Sequence, residues 1–169
     1  MMRLFLVVLA TAIGGCAVQP GAPLTGPNDA QITGRVSLTH DGRRDAGGFT
    51  YRSAGARQSW ILFGPTGTAV GELSSGPRGA RWQPTDGDAL AAADIDALVE
   101  TALGVAAPLA SARDWIWGRV PLGASARDGG FNLNGWRLEW LKYTADGVPR
   151  LMRLTRGDTE LRLVAKTWQ

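Results

Sequence analysis

The hydrophobic period of this chain changes twice, and those two changes leave few folds open. Ile32, Gly34, Val36 and Leu38 alternate with Thr33, Arg35, Ser37 and Thr39, the two-residue period of a half-buried strand. Segments 48–52, 59–63, 68–74 and 80–83 read as further strands. The connections His40-Asp41-Gly42, Ser53-Ala54-Gly55 and Gly76-Pro77 are short enough for an antiparallel meander. The period then lengthens. Ile95, Leu98, Val99, Ala102 and Leu103 fall on one helical stripe, with Asp88 as the expected cap and Gly104 as the stop. Pro108 opens a second predicted helix that runs through Arg113 and Asp114 to Trp117, with Gly118 after it. Alternation returns in 131–133, 136–143, 149–155 and 159–168, with Asn134-Gly135 and Asp146-Gly147 as turns. Strands, two helices, then strands predict an α+β fold with a mainly antiparallel sheet.

The residues before the first strand bear on where such a sheet works. Met1, Met2 and Arg3 make a short basic start, residues 4–13 form an apolar run, and Ile13-Gly14-Gly15 leads into Cys16, the only cysteine. This is the layout of a bacterial lipoprotein signal, whose cut leaves Cys16 as a new N-terminus to be acylated. Ile13 stands where leucine is commonest. The apolar run falls short of the roughly 20 residues that span a bilayer. A single acyl chain anchors only marginally, so the three-chain anchor of this class, palmitate included, is what would hold firmly. Residues 17–29 are rich in Pro and Gly and have no period, the composition of a tether. The expected organisation is a signal peptide at 1–15, a lipidated tether at 16–30 and one folded domain at 31–169.

A lone cysteine excludes internal disulfides. Lys and Arg number 18 against 15 Asp and Glu, with no lysine-rich block, so nucleic acid is not an expected partner. Seven tryptophans and 23 glycines suit a curved, glycine-kinked sheet around an apolar interior. Catalytic and metal chemistry have little support. His40, the single histidine, falls in a predicted turn with no serine and carboxylate gathered beside it. Asp86, Asp88, Asp94 and Asp96 lack the ligand spacing of a calcium loop and suit the start of a helix. Gly64-Pro65-Thr66-Gly67-Thr68 lacks the Lys-Ser/Thr ending of a phosphate loop and reads as a turn. No enzyme activity, cofactor or metal is expected.

Several features in order resemble the LolB family of outer-membrane lipoprotein receptors. They are Gly34-Arg35-Val36-Ser37, Phe49-Thr50-Tyr51, Gly64-Pro65-Thr66-Gly67 before Glu72-Leu73, Pro108-Leu109 leading to Trp115-Ile116-Trp117-Gly118, and Trp168 near the end. The resemblance implies an incomplete antiparallel β-barrel of the LolA/LolB type, with helices covering one side and a hydrophobic cavity. It implies a monomer on the periplasmic face of the outer membrane, lipid-anchored at Cys16. Such a protein accepts acylated lipoproteins from the periplasmic carrier LolA and releases them into the membrane. By the same resemblance the 64–67 turn is a protruding loop formed by Pro65, Thr66 and Gly67. The family carries an apolar side chain there, usually leucine; here Thr66 takes its place, with Pro65 or Ala69 as weak substitutes.

Exposing a sixteen-carbon chain to water costs on the order of 13 kcal/mol, at about 0.8 kcal/mol per CH2. A receptor must therefore cover it. Alternation nominates Trp60, Leu62, Val70, Trp136, Leu138, Trp140, Met152, Leu154, Leu161 and Leu163 as the lining, with Ile95, Leu98, Val99 and Ile116 from the helices. Arg150, Arg153 and Arg156, with Arg162 and Lys166, could form a basic patch for the carrier or for headgroups. A structural or accessory lipoprotein, or a lipocalin-like carrier of a free lipid, would share much of this pattern.

Overall fold

The computed structural model describes residues 29–169; residues 1–28, with the expected signal peptide and Cys16, lie outside the described residues. Eleven strands form one sheet. In chain order they are β1 (Ala30–His40), β2 (Arg43–Ala54), β3 (Arg57–Phe63), β4 (Ala69–Gly76), β5 (Gly79–Pro84) and β6 (Leu90–Ala92), then β7 (Ser125–Arg127), β8 (Gly130–Leu133), β9 (Trp136–Tyr143), β10 (Pro149–Arg156) and β11 (Thr159–Trp168). Helix α1 (Ile95–Leu103) and the single turn α2 (Ala112–Trp115) lie between β6 and β7. The sheet order is β6-β5-β4-β3-β2-β1-β11-β10-β9-β8-β7, and all neighbours are antiparallel. The first and last long strands meet in its middle, and β6 and β7 are its two free edges, so the sheet does not close. The strand-helix-strand order read from periodicity is the order observed.

Three expectations need correction. Asp94, not Asp88, caps α1: its side chain accepts from the Ala97 amide at 2.9 Å, and Gly104 closes the helix at φ 71°. Asp88 precedes β6, a strand too short and alanine-rich to show a period. The second helix does not run from Pro108 to Trp117. A 3-10 turn at Leu109–Ser111 leads into one α turn: the Leu109 and Trp115 carbonyls accept from amides three residues on, not four, and the Pro108, Leu109 and Trp115 carbonyls also accept from side chains. His40 ends β1 rather than sitting in the turn; it is half-buried, with Nδ1 2.8 Å from the Thr159 hydroxyl.

Alternation turns one face of the sheet inward. Ile32, Tyr51, Trp60, Leu73, Trp136, Leu138, Met152, Leu154 and Leu163 are buried on it, and α1 sets Ile95, Leu98 and Val99 against them. Removing this apolar surface from water, at about 25 cal/mol per Å², is the main drive holding the helical segment to the sheet.

Candidate functional site

Of the fourteen residues expected to line a cavity, Trp60, Ile95, Leu98, Val99, Ile116, Trp136, Leu138, Met152, Leu154 and Leu163 are buried in one cluster. Leu62, Trp140 and Leu161 are half-buried against it. Val70 is not part of it. It is 48% exposed, because Gly71 and Leu73 hold the inward positions of β4. Gly71 has no side chain to show up in a hydrophobic pattern, and it is needed there: a Cβ would lie 2.6 Å from the Trp82 ring. Phe49, Tyr51, Leu73, Trp115 and Phe131 belong to the same buried cluster, although alternation assigns none of them to the lining. Cross-strand register is the signal for two of them, since Tyr51 faces Trp60 and Phe49 faces Leu62. The Trp60 ring meets Tyr51 at 4.5 Å, Phe49 at 5.5 Å and Trp115 at 6.4 Å between centroids. The expected lining is thus a packed apolar interior, and no hollow is shown among the described residues.

The stretch 104–118 lies across this interior as a strap, and polar side chains pin it. The indole N–H of Trp136 donates to the Ala106 carbonyl at 2.6 Å, and that of Trp140 to the Trp115 carbonyl at 2.8 Å. Within the strap, Trp115 donates to Pro108 at 3.0 Å. The Gln58 amide donates to the Leu109 carbonyl at 3.1 Å, while its oxygen accepts from the Tyr51 hydroxyl at 3.4 Å. Asp96 in α1 accepts from the Ala110 amide at 2.7 Å, and Arg113 donates to the Arg57 carbonyl at 3.1 Å. Two of these groups have shifted titrations. Burial pushes the Tyr51 hydroxyl up to about 12, and burial also raises the Asp96 carboxyl above its ordinary value. The indole N–H of Trp60 is buried without a hydrogen-bond partner, as is that of Trp168, whose ring packs against Trp117 at 4.9 Å.

Outside the interior the charges divide by half of the sheet. Arg153 holds Glu139 through Nε at 3.1 Å and Nη2 at 2.7 Å, and this bond lowers the Glu139 carboxyl. Arg127 reaches the same carboxylate at 3.6 Å, and Arg162 pairs with Glu160 at 3.2 Å. Arg156 lies over the Trp136 ring at 5.2 Å, while Arg150 and Lys166 are exposed. The expected basic patch is therefore partly neutralised. The β3–β4 connection exposes Pro65, Thr66 and Gly67, and Thr66 presents a hydroxyl beside that of Thr68. Two clefts have walls of mixed polar and apolar character: one of about 820 Å³ on β2–β5 and one of about 400 Å³ at the strap's margin, with Gln58, Asp94 and Arg113 in its wall. His40, Asp41 and Asp158 place ligand atoms within 4.8 Å of one another where two turns meet, but both carboxylates face solvent.

Sequence comparison with known proteins gives a consistent result. The family model described as Outer membrane lipoprotein LolB matches residues 28–168. The Outer-membrane lipoprotein LolB of Thiobacillus denitrificans is 30% identical over 183 aligned residues, covering 100% of this chain and 98% of the relative. That of Bordetella petrii is 34% identical over 174, covering 94% and 86%. Among solved structures, a LolA superfamily protein from Nitrosomonas europaea overlaps with a TM-score of 0.49 at 6% identity, covering 86% of this chain and 88% of that one.

Proposed function

This chain belongs to the outer membrane lipoprotein LolB family, and from that premise we propose that it accepts acylated lipoproteins from the periplasmic carrier LolA and releases them into the outer membrane. In this reading residues 1–15 are removed and Cys16 carries the anchor on the periplasmic face, with residues 16–30 as the tether to the domain at 31–169. One observation carries it: a single apolar interior lies between a sheet that does not close and a strap held to that sheet mainly by side chains. No covalent step is needed. The acyl chains need only an apolar surface to replace the one they leave, since exposure would cost about 0.8 kcal/mol per CH2.

The strap supplies that surface by moving. When it swings out, Leu109 and Ile116 leave the interior and acyl chains take their place against Trp60, Leu138, Met152, Leu154 and Leu163. The unpartnered Trp60 N–H then has an acceptor within reach in the ester carbonyl of the cargo. Arg150 and Arg156, which form no ion pair among the described residues, meet the acidic side of the carrier. The Thr66 loop contributes little to insertion, having no large apolar side chain.

Chain lacking residues 1–16 should take acylated cargo from LolA and pass it to vesicles. Failure under conditions where another family member succeeds would reject the assignment. The packed interior also suits a structural lipoprotein that never opens. Such a protein would not cross-link to cargo-loaded LolA, and a lipocalin-like carrier would take free lipid without LolA.

A further inference from the structure

We propose that the groove on the outer face of β2–β5 binds the phosphate of anionic phospholipid headgroups, and so seats the domain against the membrane that anchors it. The inference rests on the lipoprotein reading for its membrane and on this chain's own residues for its chemistry.

Register builds the groove. Arg52 faces Ser59, Ser59 faces Ser74, and Ser74 faces Arg81, so one outward row reads arginine, serine, serine, arginine across four strands. At about 4.8 Å per strand, the outer backbones of that row stand about 14 Å apart. Two small hydroxyl side chains make a low floor between two guanidinium walls. The turns that close one end add Arg57 and Arg78, and the groove encloses about 820 Å³. Arg57 is set by packing: its stem passes 3.2 Å from where a Cβ on Gly76 would stand.

Among the described residues, none of Arg52, Arg57, Arg78 and Arg81 forms an ion pair, although Glu72 is in the wall. The contrast is with Arg119, Arg127, Arg153 and Arg162, each of which has a carboxylate. Four guanidinium groups around hydroxyl donors outnumber the one carboxylate of the wall, Glu72, and although Arg81 donates to the Gln83 side-chain oxygen at 2.9 Å, the groove keeps an excess of positive charge that a further anion would offset. The planar fork of arginine matches a phosphate through paired hydrogen bonds, which a serine hydroxyl can extend.

The way the chain enters the fold selects a lipid as the source of that phosphate. Asp29 accepts a hydrogen bond from the Gly55 amide at 3.0 Å, and Ala30 faces Ser53. Gly55 belongs to the turn between Ala54 and Arg57, both of which line the groove. The thirteen-residue step from Cys16 to Asp29 cannot exceed about 45 Å when fully drawn out. An anchor at Cys16 therefore keeps this end of the sheet near the bilayer, where tethering raises the effective concentration of headgroups around the arginines. The Thr66 loop lies at the opposite end of β3 and β4.

The test uses the full lipidated chain reconstituted in vesicles of phosphatidylcholine alone or mixed with phosphatidylglycerol, read by amide hydrogen exchange. Phosphatidylglycerol is expected to slow exchange in the 54–57 and 76–79 turns by about tenfold. Arg78→Gln with Arg81→Gln should remove most of that protection, and so should salt. Arg137→Gln, exposed on β9, should not change it. Equal exchange in both vesicles overturns the proposal. So does equal protection by glycerol phosphate added to phosphatidylcholine vesicles, which would make the site one for soluble phosphate. Protection that comes only on adding LolA also overturns it, making the groove a carrier contact. Co-flotation with phosphatidylcholine vesicles tests the anchor separately, so loss of flotation refutes the lipoprotein reading and not the groove.

Discussion

The sheet and the strap laid across it share one apolar core but are held in different ways. Each long strand is bonded to neighbours on both sides by a main-chain ladder, interrupted only by local register shifts such as the one at Thr33/Gly34. Residues 104–118 have no ladder; Trp136, Trp140, Gln58, Asp96 and Arg113 hold them one bond at a time. A ladder opens only by losing many bonds together, whereas pins can be released with the sheet intact. On the proposed function, the strap is the part that yields to an acyl chain.

The largest expected effect comes from the side chain both regions share. Trp115→Ala empties a fully buried site and leaves the Pro108 carbonyl with only its bond from the Ser111 hydroxyl, and should cost about 3–5 kcal/mol in denaturant unfolding. A loss under about 1 kcal/mol would show that the strap is not integral to the core. Next, Gln58→Leu removes the side-chain pin from the Leu109 carbonyl, which keeps its bond from the Ala112 amide, at about 0.5–1.5 kcal/mol. Exchange should quicken in 105–112 and stay unchanged in β9–β11; uniform quickening would break the comparison.

The two regions should also respond to acid with opposite signs. Glu139, lowered by its bond to Arg153, gives stability that is present above its unfolded value and lost as pH falls through the folded one. With both side chains partly exposed, this is worth about 0.5–1 kcal/mol. Asp96, raised by burial, behaves in reverse: its contribution is full below the ordinary value of 3.8 and declines as pH rises through the folded value. Mild acid should therefore loosen β9–β10 while tightening the strap, as read by exchange across that range. Asp96→Asn keeps an acceptor for the Ala110 amide and should abolish only the strap's response.

Tyr51 gives a high-pH counterpart. With Tyr143→Phe leaving it the only tyrosine, absorbance should show its ionisation near 12 rather than 10, with the strap's stability lost over that interval. Titration near 10 would mean that the interior is already wet. Trp60→Phe should cost clearly less than Trp115→Ala, because the phenyl ring keeps part of the packing against Tyr51, Phe49 and Trp115 and the indole N–H has no partner to lose; an equal loss would make the Trp60 indole as integral to the core as Trp115.

What was legible in the sequence follows the range of each signal. Local periods placed α1 through Ile95, Leu98 and Val99, and bounded β9 and β11 at their observed ends. Asn134-Gly135 has both residues at positive φ, as the turn dipeptide demands. The edges escaped because three-residue strands such as Leu90–Ala92 and Ser125–Arg127 are too short to show alternation. The sequence pattern points Val70 inward because Gly71 offers no side chain to mark the inward position. The strap's pins join residues as far apart as Ala106 and Trp136, or Gln58 and Leu109, and no window of sequence contains both. The arginine groove was missed for the same reason, since only strand register brings Arg52, Ser59, Ser74 and Arg81 into one row.

Fluorine NMR of chain labelled with 5-fluorotryptophan, followed while LolA delivers a lipoprotein bearing spin-labelled acyl chains, would test the claim that those chains occupy the space beneath the strap. The account predicts that the Trp60 and Trp115 resonances broaden on transfer and that locking the strap shut prevents both broadening and transfer. Transfer that leaves those two resonances sharp would contradict it.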